Sequence, residues 1–381
     1  MDTSQAQKLS QLQGLLRADP GNQRLARECI DLALQTGEYA VALSELDAVL
    51  AVSPADLKSR FDRATALIGQ RQYAAAVEAL RGIVRDNPSL TAAWINLGLC
   101  HYCLSEYVEA RTALDAAYQS GDRSPDLLRL LVSTYHHLGL INEAVALADA
   151  NTQFPSPNAA LAGVYALAYL DANQPSKAAR WMGKALSANP DSIDGLTVQA
   201  TLNAARMLTA HAKEQFERVL ELAPNNGRAW IGLGTLALLS RDLPRARELL
   251  TRGVELMPRH VGSWHVLAWV NLLSGDLDAA QRIFEQSLGL DRNFAETHGG
   301  LASVAALRGE TAAAERGIKV ALGLNSGCLS AQFARSVLMA RSGDAAGAAQ
   351  LIKGKLRALA PNDDSLLSRT IEAAAARLQQ P

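Results

Sequence analysis

The chain has 381 residues, 49% of them hydrophobic and 20% charged, with 37 basic and 38 acidic side chains. A net charge of −1 excludes whole-protein electrostatic attraction to nucleic acid or to an anionic membrane. Apolar residues never run long enough to cross a bilayer, and four cysteines are too few for a disulfide framework.

The N-terminal stretch Met1-Asp2-Thr3-Ser4-Gln5 is polar and carries no basic n-region or apolar core, so it does not read as a secretory signal. Together with the sparse cysteines this gives the expectation of a cytoplasmic protein. Ordinary single cores stop growing at about 250–300 residues, which leaves either two domains or a repeat array.

Residues 1–22 predict a lone helix over 5–18 that ends at Pro20. From there a fixed interval takes over. Pro20, Pro54 and Pro88 are 34 residues apart, and so are Pro190, Pro224 and Pro258. The intervening marks fall on Asp122, beside Gly121 and Pro125, and on Ser156, between Pro155 and Pro157. After Pro258 they fall at Asp291-Arg292-Asn293, Asn325-Ser326-Gly327 and Ala360-Pro361. All are helix stoppers or turn formers. A sharper mark is one register of ten alanines: Ala42, Ala76, Ala110, Ala144, Ala178, Ala212, Ala246, Ala280, Ala314 and Ala348. Internal repetition explains both series.

Each repeat reads as two helices. In 91–124, Trp94, Leu97, Gly98 and His101 share one helical face, and Ala110, Leu114 and Ala117 share another after a turn near Ser105-Glu106. Residues 227–260 repeat this with Trp230, Leu233, Gly234 and Ala237, then Ala246, Leu250 and Gly253. Gly37, Gly139, Gly275, Gly309 and Gly343 fall between the two helices, where a left-handed residue ends the first. Gly98 and Gly234 inside helices predict a close approach of the two helices, with the recurring alanine as the matching small residue.

Trp94-Ile95-Asn96-Leu97-Gly98 with Ala110, Trp230-Ile231-Gly232-Leu233-Gly234 with Ala246 and Pro258, and Trp264 with Leu267, Ala280 and Phe284 resemble the tetratricopeptide repeat, a 34-residue helix–turn–helix. The resemblance covers 23–362 as ten units starting at 23, 57, 91, 125, 159, 193, 227, 261, 295 and 329. Residues 1–22 form an N-terminal half repeat, and 363–381 a C-terminal amphipathic cap over the last apolar face. Departures from the motif are His101 at a tyrosine position and Arg63, Gln199 and Arg335 at leucine positions, so the units at 57, 193 and 329 are expected to pack less regularly.

The resemblance implies an all-α, right-handed superhelical solenoid with first helices lining a concave groove. It implies a non-catalytic scaffold or adaptor that binds a partner peptide or helix there. The first-helix positions between the packing ones are Arg27 and Asp31, Phe61, Ile95, Leu99 and Tyr102, Arg129 and His136, Ile231 and Thr235, His265 and Trp269, and Phe333. Trp269 stands out because its unit already has a packing tryptophan in Trp264; the alternative is that it packs on a neighbouring hairpin. A carboxylate clamp of the kind some relatives use is disfavoured, since Arg27, Asp31, Asp62, Ala92 and Asn96 place two acids where a ligand carboxylate would sit.

Cys100-His101-Tyr102-Cys103 and His136-His137 contain a zinc-capable set, but ligands inside a helix and a cysteine at a small-residue position favour packing, so no metal or cofactor is expected. Phosphate-loop, zinc-protease and hydrolase motifs are missing from the sequence, and Gly232-Leu233-Gly234 lies within a predicted helix. The arginines 241, 245, 247, 252 and 259, interleaved with Asp242, Glu248 and Glu255, read as a solvated face. The expected partner is a protein or peptide, not nucleic acid or a membrane interior, with self-association left open. The Ala-, Leu- and Arg-rich composition is compatible with a bacterial assembly factor for pili, secretion or polysaccharide. The alternative function is a ligand- or peptide-responsive regulatory subunit acting through a separate effector.

Overall fold

The computed structural model describes residues 3–153 and 158–359; the repeat mark at Pro155-Ser156-Pro157, the one at Ala360-Pro361 and the expected cap over 363–381 lie outside them. Among the described residues the secondary structure is entirely helical, and the chain divides into two compact bodies, Met1–Pro190 and Asp191–Pro381.

The first body holds α1 (Thr3–Ala18) and five helical hairpins: α2 (Gln23–Thr36) with α3 (Tyr39–Val52), α4 (Leu57–Gly69) with α5 (Tyr73–Asp86), α6 (Thr91–Cys103) with α7 (Tyr107–Gln119), α8 (Pro125–His137) with α9 (Ile141–Ala150), and α10 (Ala159–Asp171) with α11 (Pro175–Ala188). The second holds α12 (Ile193–Ala205) with α13 (Thr209–Leu222), α14 (Gly227–Leu239) with α15 (Leu243–Leu256), α16 (Val261–Leu273) with α17 (Leu277–Leu290), α18 (Ala295–Arg308) with α19 (Thr311–Leu324), and α20 (Leu329–Arg341) with α21 (Ala345–Leu359). Each body is a stack of helix–turn–helix repeats.

Local chemistry sets the helix ends. Asn22, Asp56, Asn158, Ser192 and Asn226 each accept a backbone N–H three residues on, which satisfies an orphan donor at the start of a first helix. Trp94, Trp230 and Trp264 then tie the preceding turn down. Each indole Nε1–H donates to the carbonyl six residues upstream, on Pro88, Pro224 and Pro258, at 2.8–2.9 Å. His298 does the same to Arg292 at 2.8 Å.

The turn inside every hairpin is left-handed at one register. Gly37, Gly139, Gly275, Gly309 and Gly343 have φ from 74° to 98°, as the sequence predicts, and Arg71, Ser105, Asn173, Met207 and Arg241 adopt φ of 55–63° at the equivalent places. For a residue with a Cβ this conformation costs roughly 1–2 kcal/mol. The 34-residue register, not the residue type, imposes it. Met207→Gly is therefore expected to stabilise the chain by about 0.5–1 kcal/mol, the strain relieved less glycine's greater unfolded-state entropy. A thermal melt with unchanged or lowered midpoint would count against that.

The alanine register is the packing seam. Nine of the ten are 0% exposed and Ala348 is 5% exposed. A Cβ on Gly98 would lie 2.5 Å from Leu114 Cγ and 3.4 Å from the Ala110 carbonyl oxygen; on Gly234 it would lie 2.6 Å from Leu250 Cγ. The glycines thus make room first for a leucine side chain of the second helix, and only then for its backbone. Ala246→Leu should lower stability by about 1–3 kcal/mol, because the extra methylenes have no space to enter. Chemical denaturation that leaves the midpoint in place would refute this.

Two more glycines explain the Gly232-Leu233-Gly234 run. A Cβ on Gly232 would lie 2.3 Å from the Phe216 ring, and one on Gly300 would lie 2.3 Å from the Phe284 ring. Each phenylalanine sits in a second helix and thrusts into the first helix of the following hairpin.

Candidate functional site

Successive first helices touch through side chains one repeat apart. In the first body Arg27 bonds Asp31, with Nη2 to Oδ1 at 2.6 Å, and reaches Asp62 on α4; Lys58 lies 3.4 Å from Asp31. The Arg27 guanidinium, hydrogen-bonded to Asp31, holds that carboxyl below the usual carboxylate range. The two acids that spoil a carboxylate clamp here neutralise the arginine.

Farther along, the Tyr102 hydroxyl is 3.2 Å from His137 Nε2, and His137 stacks on Tyr107 with ring centroids 4.3 Å apart. His136 Nε2 lies 2.7 Å from Asp171 on α10. His101 is buried with Nδ1 2.6 Å from Glu106, and Cys100 is buried, which pushes its thiol up to about 12. The zinc-capable residues therefore part company, and among the described residues no group of three or more His, Cys, Asp or Glu is placed to hold a metal ion.

Around α16 the second body carries an aromatic knot. Trp269 Nε1–H donates to His265 Nε2 at 2.9 Å. His265 faces Phe284 at 5.5 Å and Phe294 at 5.7 Å; Trp269 meets Phe333 edge-on at 5.2 Å. With Nε2 accepting, the ring proton sits on Nδ1, which is fully enclosed and has no hydrogen-bond partner. Burial pushes the imidazole pKa down to about 4, against a smaller opposing pull from Glu296. Burial also raises the Glu296 carboxyl, but bonds from the Ser330 hydroxyl at 2.6 Å and from the Ser330 and Leu329 N–H groups at 3.0 Å overcome it and hold the group below its ordinary value. Glu296 thus caps α20 from a neighbouring first helix.

The expected groove residues separate into groups. Arg27, Phe61, Ile95, Leu99, Tyr102, Arg129, His136, Thr235, His265 and Trp269 are half-buried and Asp31 is exposed. One expectation needs correction. Phe333 is 3% exposed and belongs to the core, because α20 lies close against α18 over Gly299, where a Cβ would be 2.5 Å from the Ala331 nitrogen. Ile231 is half-buried as well and packs over Gly253 of its own hairpin, whose added Cβ would meet it at 2.4 Å. The Trp269 ring meets Phe284 of its own hairpin and Phe333 two hairpins on, and part of the indole stays accessible. Sequence reasoning missed Glu296, whose partners lie about one repeat away; an acid near a first-helix start was the available signal. Asp62 reads in the sequence only as an obstacle to a ligand carboxylate, not as the partner of Arg27. Of the arginine-rich face, Arg245 and Arg252 pair with Glu248 and Glu255 at 2.6 and 3.1 Å, as a solvated surface does.

Stacked hairpins with a buried alanine seam, left-handed turns in register and first helices in lateral contact define a helical-repeat protein. A family model described as tetratricopeptide repeat matches residues 61–127 and 208–259, and a second so described matches 261–294. The chain belongs to the tetratricopeptide repeat family. It is similar to the chain in the crystal structure of the APC/C hetero-tetramer Cut9-Hcn1, with a TM-score of 0.56 and 14% identity over 98% of this chain and 94% of that one. The likeness is one of fold. The crystal structure of MamA is similar over 42% of this chain and 92% of that one, with a TM-score of 0.35 and 19% identity. No curated protein matches the chain. No helix among the described residues is long and apolar enough to cross a membrane.

Proposed function

We propose that the chain is a non-catalytic scaffold that binds a partner peptide or helix along its first-helix face. The repeat fold supports the protein-interaction role. The observation that favours this face is a set of apolar and aromatic side chains that the core does not consume: Ile95, Leu99 and Tyr102 on α6 remain partly accessible, and Leu104 at the end of that helix is 38% exposed. Tyrosine is favoured at binding hot spots, and contiguous exposed apolar side chains mark interaction surfaces. In this reading the ten units from 23 to 362 form the binding array, with 1–22 and 363–381 as its ends. The family resemblance and composition extend it to a cytoplasmic bacterial protein serving assembly of a pilus, secretion or polysaccharide system.

Crosslinking mass spectrometry on protein captured from native lysate tests the proposal. A single partner crosslinked beside α6 and lost in Leu99→Asp/Tyr102→Ala, with helix content unchanged, is expected. Unchanged capture moves the binding surface elsewhere and overturns the assignment.

A further inference from the structure

The repeats can be read against one another, and one of them sets two cations where another has an ion pair. In the first body a second-helix acid reaches the first helix of the next hairpin three times at the same register. Asp47 accepts from Arg63 at 2.7 Å, Asp115 from the Tyr135 hydroxyl at 2.7 Å, and Asp149 from the Tyr169 hydroxyl at 2.7 Å. Arg63 occupies a position that holds a buried leucine in other repeats, such as Leu97 and Leu267. Asp47 is what makes the arginine tolerable there.

The same substitution recurs eight repeats later as Arg335, but the residue in the register of Asp47 is Lys319. Two cations thus stand where the first body has an ion pair. Neither has an acid partner among the described residues, and both are exposed. They line one open cleft of about 680 Å³ between α19 and α20, with Ile318, Leu338 and Met339 as its apolar wall. Arg341 and Glu315 also line it. Arg341 is partly used, since Nη1 donates to the Leu307 carbonyl at 3.3 Å. Three cations against one carboxylate leave the cleft electropositive.

We infer that this cleft docks an acidic segment of a partner protein, one carboxylate entering between Lys319 and Arg335 in the place Asp47 takes beside Arg63. Its apolar neighbours lie on Ile318, Leu338 and Met339. Charge complementarity argues for the occupant, because a guanidinium pairs with a carboxylate in a defined fork geometry. The surface is separate from the first-helix face and does not depend on that face being a groove.

The test is fluorescence anisotropy on the full chain with a labelled peptide alternating Glu and Leu, a Gln/Leu counterpart and a phosphoserine/Leu counterpart. The Glu peptide should bind, weaken as salt rises, and bind about tenfold or more weakly to Arg335→Glu. The Gln peptide should not bind. Lys319→Asp is the decisive variant: it gives Arg335 an internal acid, so binding should fall as far as in Arg335→Glu while the melting temperature holds or rises. No binding by the Glu peptide, equal binding by the Gln peptide, or wild-type affinity in Lys319→Asp would overturn the inference. Binding confined to the phosphoserine peptide would also overturn it and assign the cleft to phosphorylated partners.

Discussion

Phe284→Ala lowers the stability of the second body by about 3–5 kcal/mol, the cost of emptying a fully buried aromatic site that cannot collapse. Phe284 is 0% exposed, its ring lies over Gly300, and His265 and Trp269 pack on its other sides. Collapse is blocked because α16, α17 and α18 all bound the site and none can advance without parting from its other neighbours. Hydrogen exchange of the α16–α18 amides should accelerate by about a hundredfold or more. A loss under about 1 kcal/mol would mean that the hairpins slide together to fill the space, and that the aromatic knot is not a rigid junction.

The second large effect is a pH dependence centred on His265. Its folded pKa, about 4, lies below the ordinary 6.5 because burial disfavours the imidazolium. Between those values the unfolded chain takes up a proton that the folded chain refuses. Stability from this group is fully present above about pH 6.5 and is lost as pH falls toward 4, on the order of 3 kcal/mol in all. Glu296 adds to the loss in the same direction but lower, below its ordinary 4.5, as its bonds to the α20 N-terminus are protonated away. Urea midpoints measured from pH 7 to 4 should fall in wild type and fall markedly less in His265→Leu. Parallel curves would place the acid sensitivity on other groups.

How much of this could be read in the sequence depends on whether the signal lay within a helical window or across a repeat. The alanines, the inter-repeat prolines and the hairpin glycines are local and periodic, so helices, turns and the tetratricopeptide resemblance are all visible. Arg71, Ser105, Met207 and Arg241 were not visible as left-handed, because nothing in their side chains asks for that conformation, whereas Asn173 is of a type that favours it. Only the glycines at the same register betray it. Trp269 was legible as a surplus tryptophan, but its bond to His265 was not, since two residues four apart on a groove face can as easily both point to a ligand. Phe333 looks identical in register to Phe61, yet its burial depends on Gly299 in another repeat, which lets α20 settle onto α18. The Asp47–Arg63 pair shows the same principle: Arg63 alone reads as a defect, and the residue that repairs it lies in the preceding hairpin.

The phenylalanine–glycine contacts bear on how such a chain could grow by duplication. Phe216 with Gly232, and Phe284 with Gly300, join the second helix of one hairpin to the first helix of the next. A recombination break at residue 227 or 295, where a sequence repeat begins, would separate a ring from the glycine that receives it. The copied hairpin would then meet whatever side chain its new neighbour offered. Breaks just before Phe216 or Phe284 keep ring and glycine in one inherited segment. A segment that keeps each ring with its glycine therefore begins about a third of a unit ahead of the sequence repeat.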